Sequence, residues 1–124
     1  MSEFVTPHFR WSEFLHSDTA VALGIENVPG DYEKANIVRT ARILECVRED
    51  FGKPLRINSG YRCKELNAIL PGASSESYHL EGRAVDINIL GYSSDVVLRL
   101  IDLLQIYDPV EIYQKGESYV HVAY

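Results

Sequence analysis

The stretch from Gly82 to Leu90 constrains the fold more than any other part of the sequence, because apolar and polar residues alternate along it. Its β-branched positions are Val85, Ile87 and Ile89. Alternation with a period of two predicts a β-strand that has one face in the core and the other turned towards a polar space. Asp86 lies on the polar face, so this strand presents a carboxylate to that space.

Helices are predicted on both sides of this strand. Apolar residues recur with a period near 3.6 over Asp31–Phe51, which predicts a helix with Asp31 as its N-cap and Gly52 as its end. A second amphipathic helix is predicted to begin at Ser93 or Ser94. Shorter helical segments are expected within residues 9–24 and 64–70.

The remaining elements are extended. Residues 55–59 predict a strand, and the last part of the chain predicts a hairpin of Val110–Gln114 and Ser118–Ala123 around Lys115-Gly116. Because this hairpin is antiparallel, we expect an α+β fold in which a small antiparallel sheet is backed by helices. The length of 124 residues and the lack of linkers or repeats predict a single domain over residues 1–124.

The charge balance excludes some classes of partner. Twelve Lys and Arg against 18 Asp and Glu give a net charge of −6, which argues against nucleic acid or an anionic membrane as a partner. No apolar stretch approaches the roughly 20 residues that a membrane-spanning helix needs. We therefore expect no membrane insertion, and we expect the chain to act as a monomer.

The N-terminal residues lack the basic and apolar regions of a signal peptide. We therefore expect synthesis and folding in a reducing cytoplasm. Of the two cysteines, Cys46 lies beside Leu44 and Val47 in the long predicted helix and is expected to be a buried free thiol.

Two of the four histidines fall near Asp86 in the predicted topology. His79 ends a polar loop before the strand, and His121 lies on one face of the last strand. If the two strands are neighbours, Asp86 and His121 point the same way and His79 approaches from the loop. Two imidazoles and one carboxylate form a ligand set typical of catalytic zinc, with the fourth position open to water. Spacing alone also allows hydrogen-bonded core histidines and a turn aspartate.

Three segments together resemble one protein family. They are Ser77-x-His79-x-x-Gly82-x-Ala84-x-Asp86 with Tyr119-Val-His121-Val, the upstream Ser59-Gly-Tyr-Arg62-x-x-x-Leu66-Asn67, and the opening His8-Phe-Arg-Trp-Ser-Glu-Phe14. This order resembles the zinc D-Ala-D-Ala carboxypeptidase family, which includes phage endolysin peptidases and vancomycin-resistance dipeptidases and shares its fold with the hedgehog signalling domain. The opening segment resembles the short branch found in phages and prophages.

The resemblance implies a hedgehog/DD-peptidase fold and a Zn²⁺ ion held by His79, Asp86 and His121. It also implies that Arg62 grips a carboxylate or carbonyl of the substrate and that Ser77 hydrogen-bonds the substrate. Without the resemblance, a surface ion pair of Arg62 with Glu65 or Glu76 is the simpler interpretation. The implied substrates are the stem peptides of peptidoglycan, which would place the site of action at the cell wall after release.

The sequence offers two candidates for the general base. Many family members carry an acidic residue three positions before the last histidine, where this chain has Ser118. Glu117 is the predicted base, because an even spacing from His121 in a regular strand puts both side chains on one face. Glu111 is the alternative and depends on the hairpin register: a two-residue turn would pair Val110 with His121, and a three-residue turn would pair Glu111 with His121.

The predicted function is zinc-dependent hydrolysis of a stem-peptide amide bond, either as a D-Ala-D-Ala carboxypeptidase or as an endolysin-type endopeptidase. In this mechanism a metal-activated water attacks and a carboxylate transfers its proton. The alternative, which the missing acidic residue permits, is a non-catalytic binding or assembly module of the same fold in which zinc has only a structural role.

Overall fold

The computed structural model describes residues 2–124 and has a four-stranded antiparallel sheet at its centre, with strand order β3-β4-β6-β5. The strands are β1 (Phe4–Thr6), β2 (Phe9–Arg10), β3 (Arg56–Ser59), β4 (Ala84–Asn88), β5 (Glu111–Lys115) and β6 (Tyr119–Ala123). The helices are α1 (Trp11–Leu15), α2 (Asp18–Leu23), α3 (Asp31–Phe51), α4 (Lys64–Ile69) and α5 (Ser94–Gln105), and a 3₁₀ helix spans Tyr78–Glu81. This mixture of helices and small antiparallel sheets confirms the predicted α+β class.

The apolar face of the sheet packs against α3 and α5 to form the core. Both helices bury one stripe of aliphatic side chains, as their apolar periodicity predicts. On the sheet the core residues are Val85, Ile87, Ile89, Val120 and Val122, each at most 2% exposed. Because side chains alternate along β4, burial of this aliphatic row turns Asp86 to the opposite face.

Register brings the two predicted ligand strands together. In the β4–β6 pair, Asp86 lies directly opposite His121. Directly opposed residues of an antiparallel pair project from the same face of the sheet. The structure therefore supplies the neighbouring strands on which the predicted ligand set depends.

The closing hairpin forms with a register that differs from both expectations. Residues 116–118 make the turn, so that Tyr113 lies opposite His121 and Glu111 lies opposite Ala123. The pairings of Val110 or Glu111 with His121 were therefore both wrong, because β5 runs one residue further than predicted before it turns. Glu111 nevertheless projects from the same face as His121, since the two positions are an even number of residues out of register.

Two local predictions in α3 were also wrong. The N-cap is Gly30, and Asp31 is the first helical residue. Cys46 is exposed rather than buried, because two residues of helix rotate the side chain by about 200° from Leu44 and away from the buried stripe. The expected end at Gly52 is confirmed, as is the helix beginning after Ser93.

Gly60 and Gly82 permit close backbone contacts that shape the site. A Cβ on Gly60 would lie 2.6 Å from the carbonyl oxygen of Phe14, and one on Gly82 would lie 2.6 Å from that of Glu33. Gly82 also has φ of 72°, a left-handed conformation that L side chains rarely adopt. These glycines therefore let β3 approach α1 and let the 3₁₀ helix approach α3.

Across residues 2–124, we find no helix that is both long enough and apolar enough to span a membrane.

Candidate metal centre

His79, Asp86 and His121 converge on the polar side of the sheet. They are 2%, 5% and 5% exposed, and the atoms that each could offer to a metal all lie within 4.8 Å of one another. Each side chain comes from a different element, namely the 3₁₀ helix, β4 and β6. Burial of polar side chains is costly unless they are paired, and these three pair with one another and with the backbone around them.

The imidazole of His79 is oriented by the backbone. Its Nδ1 lies 2.7 Å from the carbonyl oxygen of Gly60 and must donate there, because a carbonyl oxygen only accepts. In the neutral ring Nε2 is then a lone-pair acceptor, and it lies 3.4 Å from Oδ2 of Asp86. Both atoms, Nε2 with its lone pair and the carboxylate oxygen, then carry partial or full negative charge. The space between them therefore suits a cation. A second ring nitrogen bonded to a backbone carbonyl is also typical of metal-binding histidines.

Asp86 remains ionised in this environment. Burial by itself would raise the pKa of its carboxyl group, but the hydrogen bonds and charges of His121 and His79, when these rings are protonated, outweigh burial and hold the pKa well below its usual value. Oδ1 lies 2.8 Å from Nδ1 of His121, and Oδ2 lies 3.5 Å from Nη2 of Arg62. The site therefore contains a buried carboxylate that is available to a cation.

His121 lies between two carboxylates. Besides the contact with Asp86, its Nε2 lies 2.8 Å from Oε1 of Glu111. Burial would lower the pKa of His121, but the hydrogen bonds and charges of Asp86 and Glu111 outweigh it and raise the pKa above the usual value. The ring of Tyr113 stacks on the imidazole with centroids 4.6 Å apart and planes 20° from parallel. Hydrogen bonds and stacking together fix the orientation of the His121 ring.

Of the two candidate bases, the structure brings only Glu111 to this group of residues. Glu111 lines the cleft above the histidines and contacts His121. Glu117 lies in the hairpin turn, is exposed and is not among the cleft-lining residues. The regular strand begins only at Tyr119, so the even spacing of Glu117 from His121 carries no prediction of a shared face.

Arg62 lies at the edge of the same group of residues. Its guanidinium donates from Nε to Ser59 Oγ (3.1 Å) and from Nη1 to Asn67 Oδ1 (3.2 Å), and its side chain is 14% exposed. Within residues 2–124 its ion pair is with Asp86, and not with Glu65 or Glu76. These contacts hold a cationic, planar donor group beside the three predicted ligands.

The family model described as Peptidase M15 matches residues 7–123 of the chain. The chain belongs to this family. This assignment confirms the resemblance to zinc peptidases that the motifs indicate, and it places the chain in a family of hydrolases. Among curated proteins, no match to the chain was found.

The candidate centre of this M15 peptidase lies at the base of a cleft of about 360 Å³. One wall is the cleft-facing row of β5, and the other is the loop over residues 70–77. Ser77 lines the cleft, and its hydroxyl accepts a hydrogen bond from the backbone N–H of His79 at 3.2 Å. Ser77 therefore caps the 3₁₀ helix that carries His79, in addition to lining the cleft.

Three further residues without a predicted role lie in or beside this cleft. They are Tyr113 and Lys115 on β5, and Asn67 on α4. The spacing of two residues between Glu111, Tyr113 and Lys115 already predicts that they share one face of a strand. Whether that face is the one that carries His121 depends on the register between β5 and β6. Asn67 lies within the family motif, and its burial (4% exposed) becomes visible only in the tertiary structure.

The other histidines and tyrosines have separate surroundings. His8 bonds to Glu45, and His16 bonds to Asp18 on the surface. Of the three tyrosines within the motifs, Tyr119 lines the cleft and Tyr61 belongs to the core. The third, Tyr78, packs its ring against the guanidinium of Arg83.

Proposed function

We propose that this M15 peptidase hydrolyses amide bonds in peptidoglycan stem peptides with a zinc ion held by His79, Asp86 and His121. The observation that carries the proposal is the convergence of these three buried side chains at the base of an open cleft, with the acceptor nitrogen of His79 directed at the carboxylate. Two nitrogens and one oxygen from the protein are a donor set that zinc commonly takes in hydrolytic sites.

When bound, zinc supplies a Lewis acid that polarises the scissile carbonyl and lowers the pKa of water. The protein residues prepare that site in advance. Gly60 fixes the ring of His79 through Nδ1, and Tyr113 stacks on the ring of His121. Such outer contacts keep the donor atoms in place and so reduce the reorganisation that binding a metal requires.

We propose Glu111 as the general base, in place of the sequence-based choice of Glu117. Its carboxylate lies in the cleft next to His121. A carboxylate in this position accepts a proton from the attacking water on one oxygen and later transfers that proton to the nitrogen of the leaving amine. The role that a family acidic residue would have at position 118 would then be taken by a residue of the neighbouring strand.

Arg62 and Ser77 are proposed to bind the substrate. The guanidinium can donate two parallel hydrogen bonds to a carboxylate or stabilise the oxyanion that forms from the scissile carbonyl. Its contacts with Ser59 and Asn67 restrict its rotation, so little side-chain freedom remains to be lost on binding. Ser77 can donate its hydroxyl hydrogen to the peptide, because its oxygen is the atom that accepts from His79.

A non-catalytic module with structural zinc is the alternative, and the open cleft above the three side chains argues against it. A structural site normally closes all four positions with protein ligands, whereas this group of three faces a cleft.

Action at the cell wall, on the stem peptides of peptidoglycan, follows from the proposed substrate. Membership of the branch found in phages and prophages stays a prediction from the opening segment of the sequence.

Purified muropeptides with intact pentapeptide stems test the proposal. We expect zinc-loaded protein to produce new fragments in mass spectrometry, and we expect a chelator to stop their formation. Loss of a terminal alanine would identify a carboxypeptidase, and an internal cut would identify an endopeptidase. Asp86→Asn serves as the matched inactive control. Absence of any zinc-dependent cleavage, with zinc bound, would refute the peptidase proposal and support the structural alternative.

A further inference from the structure

A buried amide lies between Arg62 and the loop that forms one wall of the cleft. Oδ1 of Asn67 accepts from Nη1 of Arg62 at 3.2 Å, and Nδ2 of Asn67 donates to the carbonyl oxygen of Ser74 at 2.8 Å. Asn67 is only 4% exposed. Both ends of its side chain are therefore engaged, one with the guanidinium and the other with the loop.

The carbonyl oxygen of Ser74 extends this connection to Ser77. The same oxygen accepts the backbone N–H of Ser77 at 3.2 Å. The hydroxyl of Ser77 in turn accepts the N–H of His79. One buried side chain thus contacts Arg62 directly and Ser77 through a shared carbonyl oxygen, so the two residues proposed to bind substrate are held relative to one another through Asn67.

We propose that Asn67 is a positioning residue that holds the guanidinium of Arg62 and the cleft wall of residues 70–77 in a fixed mutual arrangement. This inference rests on the proposed function for the roles of Arg62 and Ser77. Asn67 itself touches no reacting atom in this scheme. Its effect on catalysis is to place two substrate-binding groups before the substrate arrives, which lowers the ordering cost of binding.

The amide suits this position because it offers an acceptor and a donor on one rigid plane. An acceptor is required towards Arg62, which has only donors, and a donor is required towards the carbonyl of Ser74. Aspartate retains the acceptor but loses the donor, and alanine loses both. The two substitutions therefore separate the contact with Arg62 from the contact with the loop.

The experiment compares Asn67→Ala and Asn67→Asp with the unsubstituted protein by NMR and by kinetics on muropeptides. The NMR readouts are solvent exchange of the Arg62 Nε–H and of the Ser77 backbone amide. Asn36→Ala is the control variant, because it removes a similar amide hydrogen bond, from Nδ2 to the carbonyl oxygen of Glu81 at 2.9 Å. In residues 2–124 the side-chain hydrogen bonds of Asn36 do not reach Arg62 or residues 70–77.

The Arg62 Nε–H donates to Ser59 Oγ and the Ser77 N–H to the carbonyl oxygen of Ser74, and the contacts of Asn67 oppose the opening of both bonds. For Asn67→Ala we therefore expect exchange at both positions to accelerate about tenfold, since one hydrogen bond contributes up to about one decade. We also expect kcat/KM to fall about tenfold, mainly through KM, with zinc content unchanged. Asn67→Asp should keep Arg62 exchange near its original rate and accelerate exchange at Ser77. Asn36→Ala should leave the exchange rates of the Arg62 Nε–H and of the Ser77 amide unchanged.

Unchanged exchange at both positions in Asn67→Ala would overturn the proposal. Equal acceleration in Asn36→Ala would overturn it too, because the effect would then be general loosening of the fold. If the unsubstituted protein cleaves no muropeptide, the proposed function fails, while the exchange measurements still decide whether Asn67 positions Arg62 and the loop. The two failures are therefore distinguishable.

Discussion

Glu111 and His121 are in contact although they are not paired across the hairpin. Oε1 of Glu111 lies 2.8 Å from Nε2 of His121, while the backbone register pairs Glu111 with Ala123. Diagonal neighbours on one face of an antiparallel pair are within reach of a long side chain. A carboxylate therefore reaches the candidate centre from β5, without an acidic residue at position 118.

Glu111→Gln is expected to reduce kcat on muropeptides at least about a hundredfold, because a neutral amide cannot accept the proton of water. Zinc content should remain unchanged, since Glu111 is not one of the three proposed ligands. Glu117→Gln is the matched control and should retain activity within about twofold, as expected for an exposed carboxylate outside the cleft. Steady-state kinetics with metal analysis measure both effects. A large loss of kcat in Glu117→Gln together with near-normal kcat in Glu111→Gln would instead identify Glu117 as the base.

Asp86→Asn is expected to weaken zinc binding at least about a hundredfold, because it removes the negative charge from the donor set and from the hydrogen-bond partner of His121. Glu76→Gln neutralises another carboxylate that lines the cleft and should leave zinc affinity unchanged. Competition with a chromophoric chelator gives both dissociation constants. Retention of full affinity in Asp86→Asn would exclude Asp86 as a ligand.

Zinc affinity should fall as the pH is lowered. Burial opposes protonation of His121, but Asp86 and Glu111 outweigh it and raise the pKa above the ordinary 6.5. Below the raised pKa the ring carries two protons, and zinc must displace one of them to reach a nitrogen. The logarithm of the affinity should therefore decrease by up to about one for each pH unit below that pKa.

Calorimetric titrations in buffers of different ionisation enthalpy would detect the released proton directly. In Glu111→Gln the decline in affinity should begin at a lower pH, because one of the two carboxylates that raise the pKa of His121 is gone. An affinity independent of pH between about 8 and 5 would contradict a role for His121 as a ligand.

Gly82→Ala is expected to destabilise the fold by about 3 kcal/mol. The left-handed backbone contributes about 1 kcal/mol, and the added methyl group would meet the carbonyl oxygen of Glu33. Gly116→Ala is the matched control, since its φ of 56° is also left-handed but no atom lies within 4 Å of the added Cβ.

Thermal unfolding of both glycine variants, followed by circular dichroism, separates backbone strain from the steric contact. The melting temperature of Gly82→Ala should fall well below that of Gly116→Ala. Equal shifts would show that the contact between the 3₁₀ helix and α3 relaxes without cost.

Much of the fold follows from local sequence patterns. Helices α3 and α5 and strands β3 to β6 coincide with the predicted segments to within a few residues, because each has strong periodicity and clear end signals. The error at Asp31 is one of one residue in the position of the N-cap. The error at Cys46 concerns whether its side chain belongs to the buried stripe of the helix. Periodicity with an imprecise phase does not settle such questions.

The sequence by itself determined the family and singled out the three residues proposed as ligands, because three motifs in a fixed order carry that information whatever the register. Only the tertiary structure decided which glutamate reaches His121 and what Asn67 holds. Strand register and long-range hydrogen bonds depend on the whole chain, and a change of one residue in register reverses the face of every side chain. For this reason Glu117, well spaced in the sequence, lies in the turn, while Glu111 lies in the cleft.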